Sequence, residues 1–186
     1  MIVIGALDNG LIAYGQRGID SRVVVSKRVL VGDEMIEGVI GAKAIHLQTA
    51  ADRKTVLGHS ELFVDIGAKD KDDALKYVKP GDRIGFATKF KRLGEKRVLG
   101  KALDDRVGCA ILMQLLANDY ECDFYGVFTV QEEVGLRGMY AAAYSVAPDV
   151  VIVLEGTTAA DIAGVEPSRR VCVLGGGPAV SFMDRA

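Results

Sequence analysis

Two adjacent carboxylates, Glu132 and Glu133, stand directly after an apolar run at residues 125–130. The run predicts a buried strand, so the pair would stand where that strand ends. A buried charge without a partner costs roughly several kcal/mol, so carboxylates in such places usually form ion pairs or bind metal. The alternative is a solvated pair at a strand exit, and an isolated Glu-Glu pair favours that interpretation.

Further acidic residues stand at the ends of two other predicted elements. Asp104 and Asp105 precede a run with helical spacing, and Glu155 ends a strand-like run at residues 150–154. Three acidic positions at three element ends predict one convergent site. Carboxylate oxygens suit divalent cations, and a two-metal hydrolase needs a bridging carboxylate, further anchoring ligands and a free base for water. Position alone leaves open which glutamate of the pair would bind metal and which would act as the base.

Residues 1–98 have the pattern of a β-rich domain. Short apolar segments alternate with glycine and charged residues, and Asn9-Gly10 is a strong hairpin-turn signal. The segments predicted as strands are residues 1–6, 11–14, 23–25, 29–31, 38–41, 62–66 and 83–87, and residues 69–78 are predicted as one helix. Many short strands with one helix favour a small barrel or sandwich.

The pattern changes at residue 99. Apolar residues at 107, 111, 112, 115 and 116 predict a helix, and the segments after it predict strand 124–130, helix 138–144 and strand 150–154. An α-β-α-β series is typical of an α/β domain with a largely parallel sheet, in which ligands bind beyond the carboxyl ends of the strands. Glu132, Glu133 and Glu155 stand at those predicted ends.

Composition excludes several classes of protein. Of the 186 residues 49% are hydrophobic, enough for one domain with a core or two small ones, and the net charge of −2 lacks the basic footprint of a nucleic-acid binder. The apolar stretches are interrupted by charge, so we expect neither a membrane span nor a signal peptide. Three widely spaced cysteines, Cys109, Cys122 and Cys172, favour reduced and mostly buried thiols in a cytosolic protein.

Several linked motifs resemble the family-42 metallo-aminopeptidases, which are the tetrahedral, glutamyl or deblocking aminopeptidases, some of them labelled endoglucanases. The motifs cover essentially the whole chain. They are FVDIGAK at residues 63–69, GKALDDRVGC at 100–109, VFTVQEEVGLRG at 127–138, VLEGTTAAD at 153–161 and GPAVSFMDR at 177–185.

The resemblance implies a role for each acidic residue. Asp104 would bridge two divalent metal ions, zinc or cobalt, and a cis peptide would join it to Asp105. Glu133 and Glu155 would be terminal ligands to separate metals, and Glu132 would be the general base. The implied reaction is removal of N-terminal residues from peptides by a metal-activated water.

The resemblance also implies a fold, an assembly and a location. Residues 99–186 would be an incomplete α/β, phosphorylase/hydrolase-like catalytic domain, and residues 1–98 a small β-rich, barrel-like dimerisation domain. The expected partners are peptide substrates and further copies of the chain, as a dimer or, when complete, a dodecamer, with no nucleic acid and no membrane. The expected location is the cytoplasm.

The histidine pattern departs from the family. Family members have two histidine ligands, one before the segment where this chain begins and one beyond its end. This sequence contains only His46, which matches a position that is not a ligand, and His59, predicted as an exposed loop residue. We therefore expect an internal segment lacking both ends of the family, with weak metal binding and little activity alone. The alternatives are an inactive remnant that acts only as an oligomerising module, and a deacylase on the related co-catalytic scaffold.

Overall fold

The computed structural model describes residues 1–16, 18–170 and 172–180. The chain divides into two compact units, Met1–Lys101 (unit 1) and Ala102–Ala186 (unit 2). This division lies close to the predicted change of pattern at residue 98, and the function assigned to each part stays a prediction. The motif at 177–185 extends from residue 181 onward outside the described residues.

Unit 1 contains a six-stranded antiparallel sheet in the order β1-β2-β5-β4-β3-β6. An isolated antiparallel bridge between Ile2 and Arg83 links the two ends of this order, so the sheet curves round towards a barrel. The strands are β1 (Ile2–Ala6), β2 (Ile12–Gly15), β3 (Arg28–Val31), β4 (Ile36–Ala42), β5 (Leu62–Asp65) and β6 (Ile84–Phe86).

The alternation of side chains along these strands forms the core. On β3, Val29 and Val31 are fully buried, while Arg28 is exposed. Ile40 on β4 pairs in register with Val64 on β5, and both are fully buried. Each such side chain contributes about 1.5–3 kcal/mol on burial, which makes this interior the main source of stability in unit 1. All buried apolar side chains among the described residues belong to unit 1.

The predicted hairpin turn at Asn9-Gly10 is confirmed. It joins β1 to β2, and the Leu7 amide donates to the Leu11 carbonyl at 2.8 Å. Gly10 has φ +81°, and a Cβ atom there would collide with the carbonyl of Ala68. Only glycine combines this backbone conformation with such close packing.

Two expectations in unit 1 were wrong in detail. The segment 23–25 is not a strand, because Asp20 caps a short 3-10 helix at Ser21–Val23 by accepting from the Arg22 amide at 2.9 Å. Such local side-chain bonds compete with strand pairing. The helix predicted over 69–78 is only the single turn α1 (Lys71–Ala74), which is capped by Asp70.

A second, two-stranded sheet was not predicted. Strands β7 (Lys91–Leu93) and β8 (Arg97–Leu99) form an antiparallel hairpin, and all of their residues are exposed. Sequence inspection missed this hairpin because its strands are short and rich in lysine and arginine, residue types outside the usual strand formers.

Unit 2 contains both predicted helices. They are α2 (Leu103–Leu115) and α3 (Arg137–Val146). Short 3-10 helices lie at Glu132–Val134 and Pro167–Arg169.

The two strands predicted for unit 2, at 124–130 and 150–154, do not form in the described residues. A strand is defined by hydrogen bonds to a neighbouring strand, and the backbone bonds described in unit 2 provide no such ladder. An apolar run shows that a segment tends to be buried, but it cannot supply the partner. The predicted α-β-α-β layer is therefore represented only by its helices.

The cysteine prediction needs a correction as well. All three thiols are free, but Cys109 and Cys122 are exposed and Cys172 is half-buried. Cys109 lies on α2, and this helix leaves most of its apolar residues accessible.

No helix in the described parts of the chain is both long and apolar enough to cross a bilayer.

Candidate metal centre

Asp104 and Asp105 lie where α2 begins. Both have non-helical backbone angles, so the regular helix starts after them. The peptide bond between them is cis, as the family resemblance implies. Asp105 accepts a hydrogen bond from the Gly108 amide at 2.9 Å, which satisfies one of the free donors in the first turn of the helix. The Asp105 carboxylate is thereby fixed in position beside Asp104.

Glu155 meets the two aspartates from a distant part of unit 2. Carboxylate oxygens of Asp104, Asp105 and Glu155 lie within 4.8 Å of one another. The Gly156 amide donates to Glu155 at 3.0 Å, so the carboxylate turns back on its own backbone. The structure therefore brings together two of the predicted ligands, Asp104 and Glu155, with one acidic residue that had not been assigned as a ligand.

The electrostatics of this acidic group are unfavourable without a cation. The hydrogen bond from Gly156 lowers the pKa of Glu155, but other effects outweigh it. Desolvation, a hydrogen bond with Asp104 and the negative charges of Asp105 and Asp104 together raise the pKa above its usual 4.5. A cation at this point would relieve the repulsion among the three carboxylates.

Glu132 and Glu133 lie on the short helix Glu132–Val134 and are both exposed. This helix follows Gln131, whose φ of +58° turns the chain sharply at the end of the apolar run. Glu133 is not part of the three-carboxylate group described above. Its assignment as a ligand, and that of Glu132 as the base, stay predictions.

Neither histidine belongs to the acidic group, and both lie in unit 1. His59 is half-buried rather than exposed in a loop, which corrects the prediction. Its Nε2 lies 2.8 Å from the Ile19 carbonyl, which can only accept, so Nε2 carries the proton. Its Nδ1 then accepts from the Tyr14 hydroxyl at 3.2 Å. Both ring nitrogens are engaged, so His59 serves the packing of unit 1.

Asp105 is the member of the group to which no ligand role was assigned, although it belongs to the acidic position that begins with Asp104. One signal was available, because an aspartate three residues before a helical amide is a typical cap, as Asp105 is for Gly108. A capping aspartate next to a proposed ligand must lie close to that ligand. The cap places Asp105 near Asp104, and the predicted convergence of the acidic positions places both near Glu155.

The chain belongs to the M42 glutamyl aminopeptidase family, whose family model matches residues 4–186. The protein FrvX of Escherichia coli strain K12 is 41% identical over 153 residues, covering 81% of this chain and 43% of that protein. This establishes the family that the motifs had indicated.

Solved structures agree with this family. An aminopeptidase from the archaeon Desulfurococcus kamchatkensis superposes with a TM-score of 0.81 at 34% identity, covering 95% of this chain and 50% of that one. A TET aminopeptidase from a marine sediment Thaumarchaeota archaeon also gives 0.81, at 33% identity, covering 94% and 52%. The chain thus spans about half the length of these relatives.

Proposed function

We propose that this chain forms part of a metal-dependent aminopeptidase that removes N-terminal residues from peptides. The observation that carries the proposal is the group of three carboxylates, Asp104, Asp105 and Glu155, within 4.8 Å of one another. Two of them stand at the positions that the family resemblance assigns to metal ligands. Family membership over residues 4–186 supports the same reaction class.

The donor set of the acidic group fits a divalent cation. Three carboxylates offer oxygen ligands. Desolvation, a hydrogen bond with Asp104 and the charges of the two aspartates raise the pKa of Glu155, and a cation would neutralise the charge contribution. Asp104 would hold two ions as the shared ligand, with Glu155 on one and Glu133 on the other, and zinc and cobalt are the proposed ions. When bound, such ions polarise a carbonyl and lower the pKa of water.

The residues of the chain would divide the remaining work. Glu132 would accept a proton from the attacking water and return it to the leaving amine. Its side chain is exposed and forms no hydrogen bond or ion pair among the described residues, so the carboxylate is open to a water molecule. Asp105, held by the Gly108 amide, would fix the position of Asp104.

Assembly and the division into domains form a further part of the proposal. We assign unit 1 a role in forming homo-oligomers and unit 2 the α/β part of the catalytic domain. A related TET1 peptidase from Pyrococcus horikoshii, 36% identical with a TM-score of 0.63, assembles into a tetrahedron or a large octahedral shell. A cytoplasmic location agrees with the three free thiols.

A second candidate function is favoured by one observation. The buried core described in the chain lies entirely in unit 1, so this unit has its own source of stability. A chain of this kind would also suit a module that only assembles copies of itself. Turnover separates the two candidates once the chain is joined to the missing parts of a relative, because a module that only assembles would show none there.

The test uses the 186 residues alone and a chimera in which they replace the matching segment of the Desulfurococcus aminopeptidase. We expect the chain alone to bind zinc or cobalt weakly, since its acidic group contains no imidazole, and to hydrolyse aminoacyl chromogenic substrates little or not at all. The folded chimera should regain metal binding and turnover. A folded chimera that binds metal but has no turnover would contradict the proposed reaction.

A further inference from the structure

A concentrated positive charge lies in residues 89–101, here called the basic hairpin. The segment contains six basic residues and one acidic residue, a net charge of +5, whereas the whole chain carries −2. The other residues therefore carry −7 together. The basic residues of the segment, all of them exposed, are Lys89, Lys91, Arg92, Lys96, Arg97 and Lys101.

The cations of the basic hairpin have no ion-pair partner in the part of the chain that the structure describes. Among the residues that the structure describes, none of the six forms an ion pair, while four ion pairs form elsewhere in unit 1. Arg28 and Glu37, for example, pair across neighbouring strands at 2.9 Å. The only acidic residue of the segment, Glu95, lies in the turn between the two strands and forms no ion pair there.

The geometry of the hairpin presents these charges beside apolar side chains. Lys91 lies opposite Leu99, Arg92 opposite Val98 and Leu93 opposite Arg97. Directly opposed residues share a face, so each face carries both a cation and an exposed apolar side chain. A two-stranded sheet also has two open edges whose amides and carbonyls can pair with an added strand.

A protective role does not account for this arrangement. Lysine on an exposed edge strand prevents unwanted pairing between sheets. Here Phe90, Val98 and Leu99 remain exposed as well, at 67%, 47% and 43%. Such side chains would promote association, so protection does not explain why they accompany the cations.

We propose that the basic hairpin binds extended acidic peptides whose acidic residues alternate with apolar residues. Such a peptide complements both the unpaired cations and the apolar side chains, and its backbone can pair with an open edge of the hairpin. Nucleic acid and anionic membrane headgroups offer negative charge, but they have no backbone that can pair with an open strand edge, so the open edges favour a peptide. Screening over about 8 Å confines the attraction to the hairpin itself, which favours a short ligand. The proposed aminopeptidase function supplies the reason to expect peptides.

The test measures binding without turnover, so it fails or succeeds independently of the proposed reaction. The probe is a fluorescein-labelled peptide of about eight residues alternating Glu and Val, with an acetylated N-terminus, and a chelator in the buffer prevents metal-dependent hydrolysis. Fluorescence anisotropy on the 186-residue chain should show binding at low salt that weakens at about 0.5 M salt, because exposed charges are screened. The same peptide with Gln in place of Glu should bind at least about tenfold more weakly.

Variants locate the binding site. The substitutions Lys91→Gln, Arg92→Gln, Lys96→Gln and Arg97→Gln together should weaken binding about tenfold. The matched control changes four exposed lysines outside the hairpin, through Lys27→Gln, Lys54→Gln, Lys69→Gln and Lys79→Gln, and should leave binding within about twofold. Circular dichroism verifies that both variants fold. If the variant with four hairpin substitutions does not fold, a variant with only Lys91→Gln and Arg92→Gln replaces it.

Three results would overturn the proposal. The first is equal loss of affinity in the hairpin and control variants, which would mean that only net charge matters. The second is no binding of the acidic peptide, or binding that the hairpin substitutions leave unchanged. The third is tighter binding of a single-stranded oligonucleotide or of vesicles containing phosphatidylserine than of the peptide.

Discussion

Gly156 lies directly against Asp104. A Cβ atom built on Gly156 would be 3.1 Å from the Cβ of Asp104 and 3.2 Å from its Oδ1. The residue that follows one proposed ligand is therefore in contact with the other. This contact sets how closely the carboxylates of Glu155 and Asp104 approach each other.

Gly156→Ala should displace Asp104 by a few tenths of an ångström, because the added methyl group would lie closer to Asp104 than ordinary van der Waals contact allows. We expect the affinity for zinc or cobalt to fall by about tenfold or more, as when the support of a ligand is lost. Titration calorimetry on the chimera measures this. Gly5→Ala is the control, since nothing lies within 4 Å of the added atom. Unchanged affinity in Gly156→Ala would exclude this contact as a determinant of the site.

The hydrogen bond between Tyr14 and His59 predicts a defined loss of stability. Tyr14 is 3% exposed, and its hydroxyl is the partner of Nδ1 of His59 at 3.2 Å. Tyr14→Phe should lower the free energy of unfolding by about 1 kcal/mol, because a part-buried acceptor loses its donor. Urea denaturation measures the change. Tyr77→Phe, at a tyrosine that is 54% exposed, should have no measurable effect. Equal stability of the two variants would contradict the role given to His59.

The sequence predicted the parts of unit 1 whose signals are local. Alternating apolar residues in β3 and the Asn9-Gly10 turn determine side-chain direction and chain reversal within a few residues, so these elements were located correctly. The segment 23–25 was assigned wrongly because its apolar residues outweighed the nearby cap at Asp20. Burial of Val24 explains the apolar pattern, since a 3-10 turn can bury one side chain as well as a strand can.

The acidic group was predictable in part. The convergence of Asp104 with Glu155 followed from element ends and from the family resemblance, and the structure places their carboxylates together. No ligand role was predicted for Asp105, because its carboxylate is positioned by the Gly108 amide, a contact that forms only at the folded helix start. The strands expected before Glu132 and Glu155 were wrong because pairing depends on a neighbour that no local pattern specifies.

Acid should destabilise unit 1 partly through Asp20. The hydrogen bond from the Arg22 side chain, followed by that from its amide, lowers the pKa of Asp20 from 3.8 to about 2. A depressed pKa stabilises the folded state above pH 3.8, and this contribution is lost as the pH falls towards 2. Asp20→Asn should therefore be less stable than the wild type near pH 6, with the difference vanishing near pH 2.

Thermal melts from pH 6 to 2 measure this difference. Arg22→Gln should remove only part of the same pH dependence, since the backbone amide at position 22 still donates a hydrogen bond to Asp20. Asp8→Asn changes an exposed aspartate without an ion pair among the described residues, and serves as the control. A difference between wild type and Asp20→Asn that stays constant across this range would contradict the assignment.

Substitutions at the adjacent residues Glu132 and Glu133 should have different effects, one on turnover and the other on metal affinity. In the active chimera, Glu132→Gln should lower kcat by about 10²–10⁴-fold with metal affinity unchanged, because an amide cannot accept the proton from water. Glu133→Gln should lower metal affinity instead, by at least about tenfold, because a neutral amide is a poorer ligand than a carboxylate. Calorimetry gives the affinity and hydrolysis of aminoacyl chromogenic substrates gives kcat. If Glu133→Gln leaves metal affinity intact and Asp105→Asn lowers it, the ligand belongs to the group formed by Asp104, Asp105 and Glu155, and Glu133 has no part in binding.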